Sequence, residues 1–458
     1  MKRREFLKYM GIGAGAAMLP SCVSKSESAA VMHKTGPMTT RINHNTGDTV
    51  SILGFGCMRL PVIQGADDTV DEIDQEEVNR LVDKAIEGGV NYFDTSPAYC
   101  KGRSEHAMGI ALSRHPRKSY FLATKMSNFD PSTWSRDASM EIYRNSLKEL
   151  QTDYLDYMLL HAVGGSTDTL SSQQVFDGRY INNGILDFLV EEKKAGRIRN
   201  LGFSYHGDVA VFDRLLKMMD EGKVHWDFVQ IQHNYIDWNH AKEINERNTD
   251  SEYLYGELAS RNIPVVVMEP LLGGRLAKVQ NAIAAKMKQR RPDDSVASWA
   301  FRFAGTQPQI LTVLSGMTYM DHLEDNLRTY SSLEPVTEDE QAFLHEIAVE
   351  ILRNNEVPCT GCGYCMPCPY GLDIPGIFAH YNKCINDDNV PRDSRSERYA
   401  EARRAYLIGY DRSVPRLRQA SHCIDCGACA PRCPQDIAIP ARLSEIDTYT
   451  RSLRNNTI

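Results

Sequence analysis

No run of apolar residues in this chain reaches the roughly 20 needed to cross a bilayer as a helix, and the apolar stretch near the start, Tyr9 to Leu19, is far shorter. Positive charge is also in short supply: 52 Lys and Arg stand against 60 Asp and Glu, a net charge of -8. Residues 351–458 are slightly basic at +2, but no basic stripe appears, so there is no electrostatic footprint for nucleic acid. Cysteine is scarce before residue 359, where only Cys22, Cys57 and Cys100 occur. Its crowding into the last hundred residues is the most informative feature of the chain.

Two runs carry that crowd. CTGCGYCMPCP contains Cys359, Cys362, Cys365 and Cys368, and CIDCGACAPRCP contains Cys423, Cys426, Cys429 and Cys433. Thiolates two residues apart around a tight turn reach three corners of one cubane, while a fourth Cys followed by Pro crosses to the other cluster. Two 4Fe-4S clusters are therefore expected. By analogy with two-cluster ferredoxins, Cys359, Cys362, Cys365 and Cys433 hold one, and Cys423, Cys426, Cys429 and Cys368 the other. A zinc site leaves the CxxCxxC triplets and the trailing prolines without a reason. The first run has two residues before its last Cys where the bacterial spacing has three, so spacing specifies Cys368 least, and Cys384 is an alternative there. The 54 residues between the runs are too many for a compact hairpin pair, and SERYAEARRAYLIGY reads as helix. The expected C-terminal unit, residues 340–458, is a small, mainly helical two-cluster ferredoxin domain. Its repeated tails, PYGLDIP and PQDIAIP, suggest pseudo-twofold symmetry.

At the other end, Arg3 and Arg4 precede the short apolar stretch, which reads as a twin-arginine export signal over residues 1–30. That route carries folded proteins, which suits clusters inserted before export. Leu19 to Cys22 resembles a lipobox, with an ordinary cleavage site as the alternative, and residues 31–45 read as a tether. The expected location is the periplasm, free or held by a lipid anchor at Cys22.

Between residues 46 and 335 the chain alternates short β-branched runs with helical patterns. The strand candidates are Val50 to Phe55, Val90 to Asp94, Tyr120 to Lys125, Leu155 to His161, Ile198 to Ser204, Phe228 to Gln232, Pro264 to Met268 and Ile310 to Leu314. Eight such pairs predict an α/β fold, a closed (β/α)8 TIM barrel, whose active site lies where strands end. Those ends carry Asp94, Lys125 and His161, with Tyr99 five residues beyond Asp94. A carbonyl reduction needs a proton donor for the nascent alkoxide, and a tyrosine is too weak without a neighbouring cation. Lys125 is expected to supply that cation, Asp94 to hold it, and His161 to orient the carbonyl. Cys57 and Cys100 lie close by, as buried small side chains or as a disulfide pair.

The segments ILGFGCMRLP, GVNYFDTSPAY, GRSEHAMGIAL, FLATK, LDYMLLH, GRIRNLGFS, FVQIQHNY and MEPLLGG together resemble the aldo-keto reductase family over about 280 residues. The resemblance implies Tyr99 as the acid, with Asp94, Lys125 and His161 in support. It also implies a nicotinamide groove formed by Ser204, Gln230, Pro270, Leu271, Gly273, Asp325 and Asn326. Here the chain departs from the family. Tyr205 stands where Asn is usual, Met268 replaces the stacking aromatic, and Gly316, Met317 and His322 stand where NADPH-preferring members place the Lys, Ser and Arg that clasp a 2′-phosphate. Weak NADPH binding follows, with NADH or weakly held NADPH as the open choices. The leading expectation is an oxidoreductase acting on a small carbonyl or alcohol, with electrons relayed through the clusters to or from a redox partner protein. The alternatives are a conventional NAD(P)H-dependent carbonyl reductase with structural clusters, and a non-catalytic accessory.

Overall fold

The computed structural model describes residues 36–63, 72–167, 169–353, 356–433 and 435–458. The export signal, the lipobox at Cys22, the first part of the tether and Pro434 lie outside the described residues. Eight parallel strands close into a barrel. They are β1 (Leu53–Gly56), β2 (Tyr92–Asp94), β3 (Phe121–Met126), β4 (Leu155–Val163), β5 (Ile198–Tyr205), β6 (Phe228–Gln232), β7 (Val265–Met268) and β8 (Ile310–Ser315). Each pairs with the next, and β8 returns to β1. Parallel barrel strands are covered on both faces, which is why runs such as Val265–Met268 are apolar throughout. Period-two alternation sorts their side chains. Tyr92, Ala123, Tyr157, Leu159, Phe228 and Val266 form the interior core, and Leu122, Met158, Leu201 and Val229 pack outward under the helices.

The first expected strand is divided at Ile52. Thr49–Ser51 pairs antiparallel with Thr40–Ile42, and Val50 joins the barrel's interior core. Ser51 makes the break: its N–H donates to Asn91 Oδ1 at 2.8 Å and its hydroxyl to the Leu53 carbonyl at 2.7 Å, so its polar groups are satisfied outside the ladder. Residues 40–45, expected as tether, are thus built into the barrel. Asn43 is fully buried and donates to Tyr157 Oη at 3.0 Å and to Asn200 Oδ1 at 3.3 Å.

The outer helices are α1 (Gln75–Glu87), α2 (Ser104–Leu112), α3 (Arg136–Glu149), α4 (Ile185–Lys194), α5 (Val209–Asp220), α6 (Ser251–Ser260), α7 (Val296–Ala304) and α8 (Met320–Tyr330). α1 shows why they form. Val78, Leu81, Val82 and Ala85 make one buried stripe, and Asp74 caps the first turn by accepting from Glu77 N–H at 3.0 Å. α9 (Glu338–Leu352) opens on a capping box of Thr337 and Glu340. It falls within the range expected for the cluster domain, yet its Phe343, Leu344, Ile347 and Ile351 share one core with Leu276, Ile283, Met287 and Trp299 of the barrel.

The C-terminal unit is helical, with α10 (Ile374–Asn386), α11 (Tyr399–Ser413) and α12 (Ile439–Asn455). The repeated tails perform the same task twice. Leu372 and Ile374 correspond to Ile437 and Ile439, all four buried in one core, and Pro375 and Pro440 open α10 and α12.

Glu105 on α2 is buried, accepting from Thr124 Oγ1 and, at 3.1 Å, from Ser146 Oγ. Burial outweighs these bonds and pushes its carboxyl up from 4.5 to about 7. A carboxyl raised in the fold contributes its stability in full below its unfolded value of 4.5, and loses it as pH rises through 7. Glu105→Gln is therefore expected to raise the melting temperature at pH 8, by up to about 3 kcal/mol in stability, and to flatten the decline between pH 4.5 and 7. Circular-dichroism melts across that range check this; an unchanged decline would contradict it.

Candidate active site

Asp94, Lys125 and His161 take inward positions at the C-terminal ends of β2, β3 and β4, above Tyr92, Ala123 and Leu159 of the same parity. Tyr99 sits on the turn that follows β2. The Lys125 ammonium is buried, donates to Asp94 Oδ1 and to the Thr95 carbonyl at 2.8 Å, and lies 4.7 Å from the Tyr99 ring centre. The His161 ring meets the Tyr99 ring edge-on at 5.8 Å. All four expected residues thus converge on one mouth of the barrel.

Their electrostatics correct one expectation. Burial, then the charge of Asp94, raises the Tyr99 hydroxyl well above its ordinary value of 10, so the ammonium does not make it acidic at rest. Lys125 is committed to Asp94 and Thr95, and its ammonium lies over the Tyr99 ring. Burial, then the charges of Lys125 and Arg179, holds His161 well below 6.5 and hence neutral. Its Nδ1 pairs with Ser127 Oγ at 2.6 Å, with Ser96 Oγ at 3.3 Å, which leaves Nε2 for a ligand. Arg179, buried and unforeseen from the sequence, fixes the loop by donating to the His161 carbonyl at 2.7 Å.

The tetrad opens into a cavity of about 1400 Å³, larger than the roughly 300–1,000 Å³ of an ordinary small-molecule pocket. Of the expected groove residues, Gln230, Pro270, Leu271, Gly273, Asp325 and Asn326 line it. Ser204 is buried, and its hydroxyl accepts from Ala162 N–H at 2.8 Å. Tyr205 turns outward into the core against Phe212. At the far end Asn326 holds Ser315 at 2.9 Å, Asp325 is paired with Arg328, and Asp321 and His322 complete the lining. Met317 is buried in the core, so it offers nothing to a phosphate. Cys57 and Cys100 are free thiols, both raised by burial.

The eight C-terminal cysteines fall into two sets by proximity. Cys359 is influenced by Cys362 and Cys433, and Cys365 by Cys359, Cys362 and Cys433, whereas Cys429 is influenced by Cys423, Cys368 and Cys426. This is the crossed arrangement expected from the two runs. Four thiolates so close repel one another, and burial already pushes the free Cys359 and Cys365 thiols up to about 11 and about 12. A bound 4Fe-4S cluster would supply the cationic iron that offsets such a donor set. Both loops are shaped alike: Gly363 and Gly427 take left-handed conformations, φ 77° and 73°, at matching places, and Gly361 N–H points at Cys359 Sγ at 3.4 Å. Cys384 packs instead with Tyr399, Tyr406 and Leu453, apart from both sets.

The two sets face different surroundings. Cys362 and Cys433 line the same cavity as Tyr99 and His161, as does Tyr364 between them in sequence. Cys426 of the other set is exposed, beside Tyr370 and Ile424 at 50% and 59% exposure. Nothing in the sequence signalled this junction, which depends on how the second unit seats on the first.

Comparison with known proteins agrees with this geometry. The Aldo/keto reductase family is matched over residues 53–348 and a 4Fe-4S dicluster domain over residues 358–438. The chain belongs to the aldo/keto reductase family and is an oxidoreductase with a 4Fe-4S ferredoxin-like domain at its C-terminus. It is similar to L-galactose dehydrogenase of Arabidopsis thaliana, 24% identical over 330 residues that cover 68% of this chain and 94% of that protein. It is also similar to Protein tas of Escherichia coli, 26% identical over 63% of this chain and 92% of that one. Among solved structures, the holo form of aldo-keto reductase AKR11C1 from Bacillus halodurans shares the fold, with TM-score 0.51 and 24% identity, over 68% of this chain and 96% of that one.

The Asp94–Lys125 pair carries a prediction. Lys125→Met strands a buried carboxylate whose Oδ2 already lacks a partner, and should cost about 3 kcal/mol or more in denaturant unfolding. Adding Asp94→Asn should restore most of that loss; two additive losses would show that the pair is not coupled.

Proposed function

We propose that this oxidoreductase interconverts a small carbonyl compound and its alcohol, exchanging electrons with a redox partner through its C-terminal domain. One observation carries the reading: Cys362 and Cys433 share a single cavity with Tyr99 and His161. Two 4Fe-4S clusters, when bound, would supply one electron each, and a bound nucleotide cofactor would gather the pair and a proton and pass them as hydride to the carbonyl carbon. The inner set of Cys359, Cys362, Cys365 and Cys433 would hold the cluster nearer the barrel. The outer set, with exposed Cys426, offers the face where a partner engages.

The barrel residues handle the proton. With Ser127 Oγ as donor to His161 Nδ1, the imidazole proton would sit on Nε2, from which it could donate to a carbonyl oxygen. The neutral Tyr99 hydroxyl is the second donor. As charge develops on that oxygen Tyr99 yields its proton, and Lys125 against its ring stabilises the phenolate that remains. In alcohol oxidation the same groups act in reverse. The Arg3–Arg4 stretch supports export of a folded, cluster-loaded protein.

The length of the cavity, which reaches Asp325 and Asn326, favours a second reading in which a nicotinamide dinucleotide is the electron source. Asp321 and Asp325 at that end oppose a 2′-phosphate, so NADH should bind about tenfold or more tighter than NADPH. Calorimetric titration of both checks this.

The two readings separate in one anaerobic experiment. Protein reduced by dithionite and desalted is mixed with benzaldehyde and other aldehydes while cluster absorbance is followed. The relay predicts recovery of the oxidised spectrum in the wild type, slowed by about 10²–10⁴ in Tyr99→Phe. No recovery, together with steady NADH oxidation that Cys433→Ser leaves intact, would overturn it in favour of the second reading.

A further inference from the structure

Tyr364 lies between two expected cluster ligands, Cys362 and Cys365, yet it lines the catalytic cavity of the barrel. The loop that bears it is positioned by other groups. Arg59 donates to the Thr360 carbonyl, and Thr360 rests on Gly273, where an added Cβ would fall 2.3 Å from its own Cβ. Left-handed Gly361 and Gly363, φ 64° and 77°, then carry the chain through a turn closed by Met366 N–H donating to the Gly363 carbonyl at 2.9 Å. The charges that reach the Tyr364 hydroxyl are those of Tyr99, Cys362, Lys125 and Cys100, which places it within reach of the tetrad. Among the described residues the hydroxyl has no hydrogen-bond partner.

A half-buried phenol on the cavity wall with no such partner for its hydroxyl is free to bond a ligand there. Phe129, Trp134, His161 and Met268 of the barrel line the same cavity, and Tyr364 adds a side chain of the C-terminal domain to that wall. We propose that Tyr364 contacts the substrate, its hydroxyl donating to the carbonyl or alcohol compound opposite Tyr99 and its ring limiting how large that compound can be. The C-terminal domain then takes part in substrate selection as well as in electron exchange. This inference rests on the carbonyl-site reading, and concerns binding alone.

Binding tests it without any electron source. Benzyl alcohol and 2-naphthalenemethanol are titrated calorimetrically into the anaerobic full-length holoprotein, with iron content and cluster absorbance recorded for each variant. Tyr364→Phe should weaken benzyl alcohol about five- to tenfold, the loss of one hydrogen bond, with cluster absorbance unchanged. Tyr364→Ala should shift preference toward the naphthyl compound by a similar factor. Unchanged affinity and size preference with intact clusters would overturn the inference. So would loss of clusters in Tyr364→Phe, which would show that the hydroxyl serves the cluster loop instead. If neither alcohol binds the wild type, both this inference and the carbonyl-site reading fall; if both bind but Tyr364 variants match the wild type, only this inference does.

Discussion

The arrangement depends on a buried clasp between the loop after β7 and the start of the C-terminal domain. Arg275 and Glu356 form an ion pair at 3.0 Å with side chains only 11% and 6% exposed. Charges so enclosed require each other, because removing either leaves the other desolvated and alone. Around this pair, Asn386 donates to the Lys278 carbonyl at 3.3 Å, Lys278 meets Asp387 at 3.4 Å, and Thr360 rests on Gly273. The loop after β7, which lines the cavity through Pro270, Leu271 and Gly273, is therefore clasped by the domain that carries the cysteines. α9 extends the same surface by packing its apolar face on α7 and its neighbours.

From that clasp follows the asymmetry between the two cysteine sets. The repeat of PYGLDIP and PQDIAIP makes the loops nearly equivalent within their own domain, with Leu372 and Ile437 in matching buried places. Seating one edge of that domain on the barrel breaks the equivalence. Cys362 and Cys433 border the cavity that Tyr99 lines, while Cys426 is exposed. In the proposed reading the first face serves chemistry on a small molecule and the second exchange with a partner protein.

Much of this was legible in the sequence because local rules sufficed. The eight strand segments alternate with helices, and strand parity places Asp94, Lys125 and His161 on one rim whatever the loops do. The crossed pairing of the cysteines was an analogy with two-cluster ferredoxins, and the short spacing of the first run left Cys368 least specified. What escaped was set by distant packing or by burial. The break at Ser51 depends on Asn91 forty residues away, and the placement of α9 depends on a core shared with Leu276 and Trp299. The acidity expected of Tyr99 failed for a similar reason: a nearby cation was visible in the pattern, but the depth of burial and the carboxylate of Asp94 were not. Tyr364 carried no sequence signal beyond its place between two ligands.

The central claim is that the inner cysteine set and the small-molecule site form a single chamber. Deuterium electron–nuclear double resonance on the dithionite-reduced holoprotein, saturated with benzyl alcohol deuterated at its carbinol carbon, measures that proximity directly. The account predicts a resolved deuterium coupling to the reduced cluster, lost when Cys433→Ser removes the inner one. Full occupancy by the alcohol with no deuterium coupling would contradict it.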